Sequence, residues 1–161
     1  MYTKQSLEAL LAAEKNFVFS KFDMEDAYKL GSMLFEQGKK EPKPIAVRII
    51  LDDLIVYQAF QPGTNAENNR WMDKKCNTVR RTHGCSLKEA VLHELEGVHE
   101  EWQKDDFHYA FCGGGFPIMV NGDFRGIACI SGLPHLQDHR CLTEVIAKFL
   151  GKDPILIPVE N

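Results

Sequence analysis

Three consecutive glycines, Gly113-Gly114-Gly115, run into Phe116-Pro117 at the start of an apolar stretch. Such a run frees the backbone for conformations closed to other residues and lets it approach a ligand closely. Its successive N–H groups can form an anion-binding nest; equally, it can be a bulge or tight turn at a sheet edge. A second feature follows Pro62-Gly63-Thr64, where a helix start offers free N–H groups and a positive dipole end to a carboxylate or phosphate. At ~100° per residue, Met72, Cys76 and Val79 share that helix's apolar face, with Trp71 and Lys75 at its margin. Among its basic residues, Lys75 is the one aimed toward a pocket, while Lys74, Arg80 and Arg81 fall on a solvated face. The third feature is Ser131-Gly132-Leu133-Pro134 followed by Asp138-His139. A carboxylate and a histidine can form a general acid/base pair, but neighbours on a helix diverge by ~100°, which argues against direct contact. A locally packed His139 is the equal alternative.

Metal and nucleophile patterns are poorly matched. His135 and His139 stand four apart, yet His-Leu-Gln-Asp-His carries Asp138 where an inverted zinc-protease motif needs glutamate. His93 and His99 lie six apart, on different faces of any helix. No metal site is expected from this spacing. There is no G-x-S-x-G elbow, P-loop or G-x-G-x-x-G fingerprint. Cys112, beside the glycines, is the candidate nucleophile, set against the commoner small buried cysteine.

These residues need a scaffold, and hydrophobic periodicity supplies one. Leu7, Leu10 and Leu11 predict an opening helix stopped at Asn16, and Phe17–Phe22 reads as a strand. Asp23 and Asp26 cap a second helix that ends at Gly38. Ile45–Leu51 and Leu54–Phe60 are β-branched strands joined by a two-residue turn at Asp52-Asp53. Thr64 with Glu67, and Ser86 with Glu89, have capping-box spacing and predict helices over 65–83 and 86–98. His99–Asp106 is a loop. Phe107–Phe111 then leads as strand through the glycines into Phe116–Val120, and Asn121-Gly122 turns the chain into Phe124–Ser131. Pro134 opens a last helix, buried along Val145, Ile146, Phe149 and Leu150 and stopped by Gly151 before a short apolar tail, Ile155–Pro158. The order α-β-α-β-β-α-α-β-β-α with tight hairpins is α+β: an antiparallel sheet of about five strands with helices packed on its faces.

At 161 residues, with 44% hydrophobic and 26% charged, the chain is expected to be one domain over residues 1–161. A net charge of −4 argues against a general nucleic-acid binder. No apolar run approaches the roughly 20 residues of a membrane span, and the amino terminus lacks a signal-peptide core. Five scattered cysteines without a C-x-x-C pair fit thiols kept reduced, and hence a cytoplasmic location.

The strings PGTNAENNRWMDKKCNTV, GGGFPIMVNGDFRGIACISGLP and the DH pair, in this order, resemble the haem-degrading-domain superfamily, which includes GlcG-like and HbpS-like proteins. The likeness spans Phe17 to Leu150. It rests on Pro62, Gly63, Thr64, Asn68, Trp71, Lys75 and Asn77, on Gly113 to Pro117, and on Ser131 to Pro134 with Asp138 and His139. The resemblance implies an antiparallel sheet with helices, assembly into dimers or higher homo-oligomers, and haem binding in some relatives. No histidine here matches a relative's haem ligand, so haem does not carry over residue by residue. His135 stands where a different polar residue is expected.

The leading expectation is a homo-oligomeric binding protein for a small anionic or planar ligand, haem included. Its pocket would be lined by Thr64, Asn68, Trp71, Lys75, Gly113, Gly114, Gly115, Phe116, Ser131 and His139, with Lys75 holding carboxylates. The alternative is an enzyme acting on a small carboxylate or phosphate metabolite, with His139 as acid/base, Asp138 beside it and Lys75 as electrostatic partner. A third is an assembly or chaperone-associated adaptor.

Overall fold

A computed structural model describes residues 1–161. Helix α1 (Lys4–Asn16) begins at Thr3, whose hydroxyl accepts the Ser6 N–H while the Ser6 hydroxyl accepts that of Thr3. Helix α2 (Met24–Gly38) opens on the expected reciprocal cap between Asp23 and Asp26. Strands β1 (Ala46–Leu51) and β2 (Leu54–Phe60) form a hairpin whose turn residues Asp52 and Asp53 both take positive φ, 50° and 63°.

Helix α3 (Ala66–Thr82) is capped one residue later than Thr64 and Glu67 suggest. Asn65 accepts the Glu67 N–H, the Asn68 side chain accepts the Asn65 N–H, and the Thr64 hydroxyl donates to Gln61 O instead. Helix α4 (Ser86–Glu96) has no side-chain cap, because the Ser86 hydroxyl accepts the Gly115 N–H at 2.9 Å. A short 3-10 turn, Glu101–Lys104, lies within the stretch read as loop. Strands β3 (Gly115–Val120) and β4 (Asp123–Ser131) pair across Asn121-Gly122, with φ of 52° and 85°. Helix α5 (His135–Leu150) starts after Pro134 and ends on Gly151.

The fold is α+β, with one antiparallel sheet in the order β2-β1-β4-β3. It has four strands rather than about five. Phe17–Phe22 makes a single bridge, Phe19 to Val120, and its aromatic side chains plug the core instead of forming a ladder. Phe107–Phe111 is not a strand either: Tyr109 N–H returns to Asp105 O and Ala110 N–H to Lys74 O, so no backbone row is left to pair with a strand. Both segments carry the β-type residues of a strand, which propensity alone cannot separate from a buried loop.

Strand β1 is central and buried along its whole length. Val47, Ile49 and Leu51 face the larger core, shared with α1, α2, α4 and α5. Ala46 and Ile50 point the other way, with Ile127 and Cys129, onto Met72, Cys76 and Val79 of α3. Arg48 shares that second face, where its guanidinium donates to Gln58, Asn69 and Asp73. Helix α3 is therefore held from the sheet side by polar as well as apolar contacts. No helix is long and apolar enough to cross a membrane.

Candidate ligand-binding site

The three motifs converge at the ends of β4 and β3. Lys75, one residue before Cys76 on α3, turns inward and its Nζ donates to Asp138 Oδ2 at 2.9 Å and to Ile130 O at 3.0 Å. Asp138, in the first turn of α5, also accepts the Leu133 N–H at 2.9 Å and the Gly132 N–H at 3.4 Å. The Ser131–Pro134 loop thus wraps its own carboxylate, which sits at a helix start where negative charge is favoured. Burial pushes the Lys75 ammonium down, but Asp138, with smaller contributions from Cys129 and Cys112, outweighs it and leaves the pKa above the ordinary lysine value. Burial likewise raises the Asp138 carboxyl, against the opposing pull of Lys75 and the two loop amides.

The glycines are explained by the same junction. Gly114 takes φ +125°, and a Cβ there would lie 2.6 Å from both Ile130 O and Lys75 Nζ. At Gly113 a Cβ would fall 2.2 Å from His135 O. The nest reading loses two of its donors: Gly113 N–H goes to His135 Nδ1 at 3.2 Å and Gly115 N–H to Ser86.

The remaining expected pocket residues separate. Asn68 donates to Ser131 O at 3.2 Å, joining α3 to the end of β4. Thr64 is engaged at Gln61, and Phe116 is buried in the larger core against Phe17. Trp71 is 45% exposed, with the Lys74 ammonium over its ring. Lys75, Asp138 and the glycines come together; Trp71 and Phe116 lie on opposite faces of the sheet system.

His139 is buried, and neither ring nitrogen has a hydrogen-bond partner. Burial, with His135 nearby, lowers its pKa to about 4, so the imidazole is neutral at physiological pH. Asp138 is spent on Lys75 and the loop, so the two form no acid/base pair. His135 is engaged on both sides. Because Gly113 N–H donates to Nδ1, the ring proton sits on Nε2, 3.3 Å from the Tyr2 hydroxyl. No group of three or more metal-ligating side chains is present.

His139 also lines a groove of about 520 Å³ between α5 and the carboxy-terminal segment. Leu136, Ile155 and Ile157 supply its apolar wall. Arg140 is its one basic side chain, held by Glu144 at 3.0 Å and Glu41 at 3.2 Å. Of its lining residues, the sequence pattern points to His139 alone. The apolar tail was visible, but Glu41 and Arg140 stand 99 residues apart and no local pattern links them.

Residues 22–147 match the family described as "Haem degrading protein HbpS-like". The chain belongs to that family. A UPF0303 protein of Brucella anthropi is 32% identical over 161 residues, covering 96% of this chain and 94% of its own. One from Brucella abortus is 32% identical over 157 residues, covering 96% and 93%. Among solved structures, Ybr137w superposes with a TM-score of 0.83 at 26% identity, covering 92% of this chain and 90% of that one. The PduOC:Heme complex gives 0.69 at 17% identity over 78% and 93%, a likeness of fold. HbpS itself gives 0.65 at 16% identity over 83% and 92%, again a likeness of fold.

Proposed function

We propose that this chain is a homo-oligomeric, cytoplasmic binding protein for a small planar ligand, with haem the leading candidate, held in the groove beside His139. The observation that carries this reading is His139, a residue of the groove lining whose ring is neutral and buried with both nitrogens unpartnered. An orphaned neutral imidazole is a ready nitrogen donor, and bound haem would supply an iron that takes such a donor and a flat apolar plane. Leu136, Ile155 and Ile157 suit that plane. Membership of the HbpS-like family and the heme complex of a protein with this fold support the same ligand class. Both nitrogens are shielded, so contact with a ligand takes a local shift of the groove wall.

The anionic part of the ligand has weaker support. Lys75 is committed to Asp138, and Arg140 to two carboxylates, so the groove carries an excess of negative charge. Planarity rather than charge is what this site selects. Self-association is supported by β2, a sheet edge that exposes Leu54, Ile55 and Phe60. Five free cysteines suit a reducing compartment.

The test is a haemin titration followed at the Soret band, run alongside size-exclusion chromatography. A saturable shift at one haem per subunit of a defined oligomer, lost in His139→Ala, is expected. No specific shift, or an identical one in His139→Ala, would overturn the assignment.

A further inference from the structure

Helix α3 packs close against the sheet where Gly115 stands opposite Cys129 in the ladder. A Cβ at Gly115 would lie 3.4 Å from the Lys75 carbonyl, so the helix backbone itself comes down onto the strands there. Cys129 Sγ lies 3.9 Å from the Met72 carbonyl, one helical turn before Cys76. The Cys76 and Cys129 side chains lie together in the smaller core. Arg48, the ladder partner of Cys129 on β1, brings a guanidinium alongside Cys76. Cys129, aided by Arg48 and Arg80, holds the Cys76 thiol below its ordinary value against burial. Burial keeps Cys129 well above its own. Cys76, the slightly less buried of the two and on the helix that carries Arg80, is the thiol to react first, with Cys129 packed in the same cluster.

We infer that Cys76 and Cys129 form an oxidisable dithiol, which hydrogen peroxide converts into a disulfide clamping α3 to β4. The Cys76 sulfur attacks one peroxide oxygen; the O–O bond breaks, and the departing hydroxide takes up the thiol proton as water. Attack by the Cys129 sulfur on the resulting S–OH forms the S–S bond and breaks S–O, and the second hydroxide leaves with the Cys129 proton as water. The thiols lose two electrons and the peroxide gains them. The product is neutral, which suits a site where Cys76 is 2% and Cys129 0% exposed. A surface hollow of about 350 Å³ borders this core at Ile50 and Ile127, so a local opening of the α3–sheet contact there admits a molecule of peroxide size.

The test uses the Cys112→Ser chain, which removes the one cysteine that is not fully buried. Peroxide treatment followed by intact-mass measurement and non-reducing peptide mapping should show loss of two hydrogens and a Cys76–Cys129 cross-link, reversed by dithiothreitol. In Cys129→Ser, oxidation should halt at a Cys76 sulfenic acid that dimedone labels. The inference is overturned if both thiols stay free at exposures that oxidise Cys112 in the parent chain, or if the cross-link joins other cysteines or separate subunits. The peptide map of the Cys112→Ser chain decides this even if Cys129→Ser does not fold.

Discussion

The Lys75 ammonium lies 2.9 Å from the Asp138 carboxylate, and the two side chains are 3% and 2% exposed. Sixty-three residues of chain separate them. The contact ties the middle of α3 to the first turn of α5, and the Ile130 carbonyl of β4 completes the coordination of the amine. Two charges withdrawn from water are tolerated because each finds its opposite together with neutral hydrogen-bond partners. Residues whose types suggested ligand chemistry are therefore first of all the fastening between helix, strand and loop.

Breaking that pair from one side should be costly. Lys75→Met or Asp138→Leu each leaves a buried charge without its partner, and about 3–5 kcal/mol of unfolding free energy should be lost. The double variant should recover much of it, since no lone charge remains. Urea unfolding of the four proteins as a double-mutant cycle measures the coupling, and additive losses would show that the pair is not a unit.

Gly114→Ala and Gly122→Ala make a second test. Both positions have positive φ, 125° and 85°, but a Cβ at Gly122 meets nothing within 4 Å. Gly122→Ala should cost about 1–2 kcal/mol, the price of the left-handed backbone alone. Gly114→Ala adds a collision with Ile130 O and Lys75 Nζ and should cost at least ~3 kcal/mol. Thermal unfolding ranks the two, and equal losses would remove the steric role assigned to the junction.

Acid should expose His139. Its folded pKa of about 4 lies below the ordinary 6.5, so between those values the unfolded chain binds the extra proton. The stability that a neutral His139 contributes is complete above 6.5 and is lost as pH falls toward 4, by roughly 3 kcal/mol in all. His139→Phe should flatten the stability profile across that window. A profile of unchanged slope would mean that the ring already reaches water in the folded state.

Arg48→Lys should not behave as a conservative change. The guanidinium serves Gln58, Asn69 and Asp73 at 2.6–2.7 Å, a fork that a single ammonium cannot reproduce. A loss of about 1–3 kcal/mol is expected from denaturant unfolding.

Much of the scaffold was legible because its signals are local. Asp52-Asp53 and Asn121-Gly122 sit in hairpin turns with positive φ at both residues, and Asp23/Asp26 and Gly151 mark helix ends where capping chemistry puts them. Phe17–Phe22 and Phe107–Phe111 were misread for the opposite reason: strand composition is visible in sequence, but the partner that would complete a ladder is not. Ser86 shows the same limit at the scale of one hydroxyl, drawn from its expected cap to Gly115 across the fold.

By itself, then, the sequence determined the helices, the two tight hairpins and the α+β class, each of which depends on residues within a few positions of one another. Tertiary structure alone decided what those residues do. It assigned Asp138 to Lys75 rather than to His139, left both His139 nitrogens without partners beside a groove, and set Cys76 against Cys129. Such pairings join residues tens of positions apart, and a buried amine, imidazole or thiol takes its chemistry from the groups that surround it in space.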